Sequence, residues 1–351
     1  MKKILSLLLV LCMLLGMLVA CAPAGTPDDN KPEENPPAGE TPGGEEEQPP
    51  AEPLTVHIAG MKGPTSLGLV KLMEDNTNKT SINNYNFYVH TKADEITPKL
   101  INGELDMAAL PANAAATVFS RTNGAITVLA VNTLGVVYVV EKGESVQSLA
   151  DLAGKKIYAV GKGTTPEYGL SYILSQNGMS IEDLEIEWKS EATEILPLLK
   201  TQENAIAMIP QPFVTAATTQ VEGLRVALSL NDEWNKLENG SQFITGVLVA
   251  RTEFVQKNPD AVYAFLREYE ESLNYAKTET ANAAHLVVKY GIMDAEPLAA
   301  KALPNCNLQF MKGEEMKAAL SGYLKTLYDQ NPQAVGGSLP GDGFYYVAAE
   351  D

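Results

Sequence analysis

Two stretches of this chain carry the same order of apolar runs and loops, and this internal repeat limits the fold more than any other feature. The loop 60–65 follows one apolar run, and the similar loop 161–166 follows another. Pro111 and Pro210, 99 positions apart, each end an apolar segment of similar sequence. A pattern that recurs at a fixed offset indicates duplicated units. We therefore expect two similar α/β units, with a ligand cleft where their matching strand ends face each other.

The N-terminus has the form of an export signal. Lys2 and Lys3 precede an apolar run over residues 4–20, as in a secretory signal peptide. The run ends in Ala20 and Cys21, which resembles the lipobox of bacterial lipoproteins, in which the cysteine is lipidated and becomes the first mature residue. We predict a signal peptide over residues 1–20 and lipidation at Cys21. An uncleaved membrane anchor is the alternative, and it leaves the body on the same side of the membrane.

Residues 21–53 are predicted to form a lipidated, disordered tether. After Cys21 the segment consists mainly of Pro, Gly, Glu and Asp, which cannot bury enough apolar surface to offset chain entropy. It holds nine acids against Lys31 and so supplies −8 of the formal net charge of −18; with the two signal lysines removed as well, the body carries −12. This charge argues against nucleic acid as a partner and against electrostatic adhesion to a membrane. Membrane contact is expected through the lipid only.

Reactive side chains are few. Cys306 is the one cysteine beyond the signal peptide and the lipidation position, so no intrachain disulfide is expected. His57, His90 and His285 lie far apart and near no CxxC or HExxH spacing. We therefore expect no metal site, no cofactor and no catalytic site, and we interpret the chain as a binding protein rather than an enzyme.

Periodicity predicts an α/β body of about 300 residues. Strands are expected at 54–59, 86–90, 107–110, 126–131, 136–141, 156–160, 186–189, 205–209, 225–230 and 246–250. Helices are expected at 65–76, 94–102 (capped by Asp94), 112–122, 165–177, 191–201, 213–220, 253–258, 259–278, 280–290, 296–302 and 314–329. The β-branched runs 136–141 and 246–250 are expected to cross between two lobes. Beyond the second crossing only helices are expected, apart from a short strand within 341–347.

Two segments carry a resemblance to a known family. Residues 148–157 read Ser-Leu-Ala-Asp-Leu-Ala-Gly-Lys-Lys-Ile, and residues 257–262 read Lys-Asn-Pro-Asp-Ala-Val. With the lipobox and the tether, they make the chain resemble the nitrate/sulfonate/taurine and thiamine-precursor (NMT1/THI5-like) family of ABC-transporter substrate-binding lipoproteins. The resemblance implies an α/β, two-lobed type II periplasmic-binding-protein fold, in which each lobe is a doubly wound sheet flanked by helices and two hinge crossings join the lobes. Lobe 1 is expected to comprise 54–141 and 247–351, and lobe 2 residues 142–246.

The resemblance also implies a function. A monomeric lipoprotein on the extracytoplasmic face of the bacterial membrane would capture a small molecule between its lobes and deliver it to an ABC permease and its ATPase. The sequence leaves the ligand open among sulfonates, carboxylates and pyrimidine or vitamin precursors. A lipoprotein that senses a ligand or docks on a partner without transport is the alternative. An enzyme on the same fold is a further one, although the cleft loops lack the cysteine-rich iron motif of one such enzyme.

The loops at the strand ends supply the expected ligand contacts. Thr164 and Thr165 open a helix whose unpaired amides suit a carboxylate, sulfonate, phosphate or carbonyl, and the resemblance places them where the family contacts the ligand's polar head. Thr165 as a simple helix cap and Lys62 as a solvated side chain are the alternatives. The full set of expected contacts is Lys62, Thr65, Pro111, Asn113, Asn132, Lys162, Gly163, Thr164, Thr165, Tyr168, Gln211, Phe213, Gln242 and Phe243.

Some of these residues carry more specific expectations. Tyr168, Phe213 and Phe243 would stack on a planar ligand or else belong to the core. Gln211 lies near a loop where members of the family often carry an acid, so its neutral side chain argues against a cationic ligand.

Overall fold

The computed structural model describes residues 54–348, in which the strands form two sheets. The predicted signal peptide, the lipidation position Cys21 and the tether lie outside these residues. Within residues 54–348, no helix is both long and apolar enough to cross a membrane.

The helices and strands follow one another as two similar units and a C-terminal part. The first unit comprises β1 (Thr55–Met61), α1 (Pro64–Leu67), α2 (Val70–Thr77), β2 (Asn84–His90), α3 (Ala93–Ile101), β3 (Met107–Pro111), α4 (Ala112–Arg121) and β4 (Ile126–Leu134). The second comprises β5 (Val137–Lys142), β6 (Lys156–Val160), α5 (Thr165–Gln176), β7 (Glu185–Lys189), α6 (Ile195–Thr201), β8 (Ile206–Pro210), α7 (Phe213–Gln220), β9 (Leu224–Ser229) and α8 (Leu230–Asn235). The C-terminal part comprises β10 (Ile244–Arg251), α9 (Thr252–Lys257), α10 (Pro259–Thr278), α11 (Thr280–Lys289), α12 (Glu296–Ala302), β11 (Leu308–Met311) and α13 (Gly313–Gln330).

The two sheets share one strand order and one register. The first reads β2-β1-β3-β10-β4-β11 and the second β7-β6-β8-β5-β9. In each sheet the first three strands are parallel, and the fourth is antiparallel to both of its neighbours. Ile58 pairs with Met107 in the first sheet, and Ile157 pairs with Ile206 in the second, so both partners are shifted by 99 positions. The repeat seen in the sequence is therefore a repeat of structure.

The fourth strand of each sheet comes from the other half of the chain. β5 follows β4 but pairs with β8 and β9, whereas β10 follows the second unit and pairs with β3 and β4. Each exchanged strand lies opposite a repeated proline: Gly246 faces Pro111, and Val137 faces Pro210. The chain thus changes sheet between β4 and β5 and again between α8 and β10. These points precede the expected lobe boundaries at 141/142 and 246/247.

Apolar layers cover both faces of each sheet. One cluster of buried residues takes members from both sheets and from α4, α5 and α13. A second lies between the first sheet and helices α2, α10, α11 and α12, and a third between the second sheet and helices α6 and α7. Each sheet is therefore doubly wound, as expected.

An aromatic cluster links elements from both halves of the chain. Trp234 on α8 is fully buried, and its ring lies 4.8 Å from that of Tyr172 on α5, 5.1 Å from that of Phe243 and 5.5 Å from that of Tyr323 on α13. Because α13 also packs against β4, the cluster connects the second unit to the first sheet beside the return crossing.

Some of the expected elements were wrong in detail. The helix expected over 65–76 is two helices, α1 and α2, separated at Gly68, where a Cβ atom would lie 2.4 Å from the hydroxyl of Tyr269. Helix α3 begins at Ala93 with Lys92 at the N-cap position, so Asp94 lies in its first turn and does not cap it.

The C-terminal part also differs from the expectation of helices alone. β11 adds to the outer edge of β4, and its four residues are too short for periodicity to reveal. Within 341–347 the chain forms a 3-10 turn, Asp342–Phe344, and only a single bridge from Tyr345 to Val128 instead of a strand.

A buried carboxylate stabilises the second sheet. Glu141 on β5 is 0% exposed and accepts hydrogen bonds from the N–H and hydroxyl of Ser145 (2.7 and 2.6 Å), the N–H of Val146 (3.1 Å) and the guanidinium of Arg225 (2.7 Å). Burial opposes the charge, but these donors together lower the pKa of Glu141 below its ordinary 4.5. A carboxyl with a lowered folded-state pKa contributes stability above the unfolded pKa, and this contribution is lost as the pH falls through the folded value.

We expect Glu141→Gln to lower the free energy of unfolding by about 2–3 kcal/mol at pH 7, because the amide NH2 group would face either the donors of Ser145 or those of Val146 and Arg225. The difference from wild type should shrink as the pH falls below about 4.5. Urea denaturation at pH 7 and pH 3.5 measures both effects, with the exposed Glu271→Gln as the control. A loss at pH 7 no larger than that of the control would contradict a stabilising role for this carboxylate.

Candidate ligand-binding cleft

A cavity of about 910 Å³ is lined by residues of both units. The loops after β1 and β6 line it, together with Thr65 and Thr165 in the first turns of the helices that follow them. Val136 and Thr245 line it beside the two crossings. These loops are the repeated ones, and both follow the carboxyl end of a parallel strand. Open α/β sheets bind ligands at that end. The cleft therefore lies where the sequence repeat places it.

Glycines allow both loops to turn back tightly onto the following helix. A Cβ atom at Gly60 would lie 2.1 Å from the Oγ of Ser66, and one at Gly161 would lie 2.7 Å from the Cγ of Pro166. Gly161 also has a backbone φ of +87°, which residues other than glycine rarely adopt. The equivalent glycines therefore hold the helix-opening residues against the cleft.

Thr65 carries a buried hydrogen-bonding group without a partner at the edge of the cavity. The residue lines the cavity and is only 5% exposed, and its Oγ1 is itself buried and has no hydrogen-bond partner. The backbone carbonyl of Thr65 is held by the Asn132 side-chain amide at 2.9 Å. A buried hydroxyl without a partner is unfavourable, so this position is suited to a polar group of a ligand.

The equivalent loop in the second unit is already hydrogen-bonded. The hydroxyl of Thr165 donates to the Oδ1 of Asn113 on α4 at 3.1 Å, which joins the two halves of the chain. Thr164 donates its hydroxyl to the carbonyl of Gly161 at 2.7 Å, and the N–H of Gly163 donates to the Glu167 carboxylate. The donors expected at residues 163–165 are thus largely used within the protein, although the first-turn amide of Thr165 has no carbonyl partner within the helix.

Among the charged residues of the cavity wall, lysines slightly outnumber acids. Three lysines of the wall make no ion pair among the residues that the structure describes: Lys62, Lys92 and Lys162. Lys189 also lines the cavity but pairs with Glu187, whose pKa falls to about 2 through hydrogen bonds from Lys156 and Lys189. The acids on the wall are Asp94, Glu191 and Asp294. With four lysines against three acids, the wall has a formal net charge of +1, whereas the body as a whole carries −12. This local charge favours a neutral or anionic ligand.

Another part of the wall is apolar. Trp188, Leu196, Phe213, Met293 and Leu298 all line the cavity. Trp188, Leu196 and Phe213 lie on β7, α6 and α7 of the second unit. Met293 and Leu298 come from the C-terminal part. The cavity therefore combines a polar region near Thr65 with an extended apolar surface.

The structure brings half of the expected contact residues to the cavity. The residues that line it are Lys62, Thr65, Pro111, Lys162, Thr164, Thr165 and Phe213. Asn113 and Asn132 are buried behind the wall, where they hold Thr165 and Thr65. Gln211 is also buried, and its side-chain oxygen accepts from the N–H and hydroxyl of Thr215.

The other expected residues lie outside the cavity lining. Phe243 is 1% exposed and stacks on Trp234, so it belongs to the aromatic cluster. Tyr168 packs half-buried against the core that both sheets share. Gly163 and Gln242 are exposed. An aromatic or polar residue near a strand end can face either the cleft or the core, and only tertiary packing decides between them.

Sequence reasoning missed several cavity residues, notably Lys92, Trp188, Leu196, Met293 and Leu298. Lys92 and Trp188 lie at the ends of the parallel strands β2 and β7, so the rule that placed Thr65 in the cleft also applied to them. Met293 and Leu298 lie around the link between two C-terminal helices, where no signal in the sequence indicated the cleft. Among residues 54–348, no group of three or more His, Cys, Asp or Glu side chains is arranged to hold a metal ion.

Comparisons with known proteins agree with this architecture. The model of the NMT1/THI5-like family matches residues 93–283. A putative binding protein of Brucella abortus is 26% identical over 180 residues, or 51% of this chain and 54% of that protein, so the chain spans about half the length of the curated relatives it matches.

Solved structures extend the likeness over most of the body. The structure of an ABC transporter from Parabacteroides distasonis matches with a TM-score of 0.69 at 23% identity, and the match covers 83% of this chain and 98% of that chain. The periplasmic aliphatic sulphonate-binding protein SsuA from Escherichia coli has a TM-score of 0.66 at 16% identity, covering 81% and 94%. The periplasmic nitrate-binding protein NrtA from Synechocystis has 0.59 at 13%, covering 80% and 82%. These likenesses confirm the predicted fold class.

Proposed function

This chain belongs to the NMT1/THI5-like family, as its sequence predicted, and on that premise we propose that it is an extracytoplasmic solute-binding lipoprotein of an ABC importer. The observation that carries the proposal is the cavity between two equivalent loops of two equivalent sheets. Because a ligand there touches both units, binding favours the conformation in which the units approach each other.

The lobes of this mechanism follow the sheets. The first lobe comprises β1 to β4 together with the chain from β10 onward, and the second comprises β5 to α8. Their hinges are the two links at which the chain changes sheet, between β4 and β5 and between α8 and β10. Closure would rotate the loop of Thr165 relative to the loop of Thr65 about these links.

Ligand contact is assigned to the expected residues that reach the cavity. Thr65 supplies an unpaired hydroxyl, Lys62 and Lys162 supply unpaired cations, and Phe213 supplies an aromatic surface. Pro111, Thr164 and Thr165 complete the set. This chemistry suits a small molecule with an anionic or carbonyl head.

The partners follow from the similar proteins. Structures similar to this one include an ABC transporter and a ligand-binding component of an ABC-type import system from Staphylococcus aureus. We assign the same role here: delivery to a permease and its ATPase by a monomer that is held to the outer face of the membrane through lipid on Cys21. Catalysis forms no part of the proposal, because the similar proteins are named as binding proteins.

Ligand binding should be visible through one of the two tryptophans. Trp188 is half-buried in the cavity wall, whereas Trp234 is fully buried in the aromatic cluster. We expect a member of a panel of sulfonates, carboxylates, pyrimidines and vitamin precursors to raise the melting temperature of the chain and to shift its tryptophan emission. At a concentration one hundred times Kd the stabilisation is about 2.7 kcal/mol.

Two variants assign the fluorescence change to the cleft. Trp188→Phe should abolish the emission change while keeping the thermal stabilisation, and Trp234→Phe should keep both. Native mass spectrometry of the purified chain, before and after mild unfolding, would detect a co-purified ligand. No bound mass and no stabilisation by any compound would count against solute binding and favour a lipoprotein that docks on a partner.

A further inference from the structure

A segment outside the two repeated units supplies a third wall of the cavity. Ile292 and the α12 residues Ala299 and Ala302 are buried in the cluster beneath the first sheet. The same helix packs against α7 of the second sheet. Residues 292–298 are therefore anchored to one half of the molecule while they border the cavity beside the other half.

The side chains that line this wall are mainly apolar, with Asp294 and Gln220 as the polar ones. Met293 and Leu298 line the cavity from the anchored segment, and Phe213 and Ala216 line it from α7. Met293 and Leu298 are only partly buried, so they keep surface that a ligand can cover. The unpaired hydroxyl of Thr65 lies elsewhere, on α1 of the first unit. One part of the cavity therefore suits a polar head, and another suits an apolar body.

The volume of the cavity also favours a ligand with an apolar body. Its volume of about 910 Å³ lies near the upper end of the range, about 300–1,000 Å³, of pockets that enclose drug-sized ligands. A water molecule takes up about 30 Å³ of liquid volume, so a small inorganic anion would leave most of the apolar wall in contact with water. An apolar body on the ligand would displace that water favourably.

Resting on the proposed function of the cleft, we propose that the ligand is amphipathic and that Met293 and Leu298 select its apolar body. The head accepts hydrogen bonds near Thr65, and the body extends over the wall formed by Phe213, Ala216 and the segment 292–298. The flexible thioether of Met293 adapts to bodies of different shape.

The test uses two homologous series, n-alkanesulfonates and n-alkanoates with one to eight carbons, and isothermal titration calorimetry on the full mature chain carrying Cys21→Ser in place of the lipidation site. In the unsubstituted cleft, affinity should rise about fourfold for each methylene until the apolar wall is covered. In Leu298→Ala and Met293→Ala the affinity for six- to eight-carbon compounds should fall about 5- to 30-fold, while the affinity for the shortest bound compound stays within about twofold. Leu339→Ala removes an exposed leucine outside the cavity and should change neither affinity.

The outcomes separate this inference from the proposed function. Affinity that does not depend on chain length would overturn the inference and leave solute binding intact. An equal loss of affinity for short and long compounds in Leu298→Ala, with unchanged circular dichroism and melting temperature, would show that the segment shapes the whole cleft and does not select the apolar body. Binding of neither series would overturn the inference, and solute binding would fall with it only if the wider panel and native mass spectrometry also gave no ligand.

Discussion

Replacing Trp234 with alanine is expected to lower the free energy of unfolding by about 3–5 kcal/mol. The side chain is fully buried, it contacts three other aromatic rings, and its Nε1 donates to the carbonyl of Ser241 at 3.2 Å. Alanine would leave a cavity that rigid neighbours cannot fill and a buried carbonyl without its donor. Urea denaturation followed by far-ultraviolet circular dichroism measures the loss without relying on tryptophan emission.

The matched control is the other tryptophan. Trp188→Ala removes the same side chain from the cavity wall, where it is only half-buried, so the cost should be well below that of Trp234→Ala. Trp234→Phe should recover part of the stability by filling some of the volume. If both alanine variants lost the same stability, the cluster would not be a principal contact between the second unit and α13.

The repeat made the architecture predictable. Apolar runs of strand length and the prolines at 111 and 210 indicated two units, and the structure repeats their registers at the same offset of 99. The exchange of β5 and β10 between sheets was not specified by periodicity, because a buried β-branched run can pair with either sheet. Non-local pairing, which places Val137 opposite Pro210, decides it.

The lining of the cavity was predictable only where it follows strand ends. Thr65 and Thr165 were placed in the cleft by that rule, but Phe243 lies in the core because Trp234 and Tyr323 offer it a stacking surface. Asn113 points to Thr165, a contact across 52 positions that no local pattern indicates. Met293 and Leu298 reach the cavity because α12 packs on α7, which is likewise a long-range contact.

The repeat sets up a comparison of two equivalent threonines with opposite roles. Thr65→Val removes a buried hydroxyl that has no partner and keeps the branched shape, so the ligand-free protein should become more stable by about 1 kcal/mol. Thr165→Val removes the donor to Asn113 Oδ1, leaves that oxygen buried and unpaired, and should cost about 1–3 kcal/mol. Denaturation of the ligand-free variants therefore gives changes of opposite sign.

Thr65→Val, which is expected to be the more stable of the two variants without ligand, should be the one that binds ligand more weakly. If the hydroxyl of Thr65 bonds an anionic head, its loss removes about 1.5–3 kcal/mol of binding, or about 10- to 150-fold in Kd. Thr165→Val should weaken binding less, because its hydroxyl is already committed to Asn113. Calorimetry with the compound found by the thermal-shift panel measures both values of Kd. A Thr65→Val variant that is less stable than wild type without ligand, and that binds as tightly, would show that the hydroxyl serves the fold. Greater stability without ligand together with weaker binding would mark the hydroxyl as a group kept for the ligand at a cost to the empty protein.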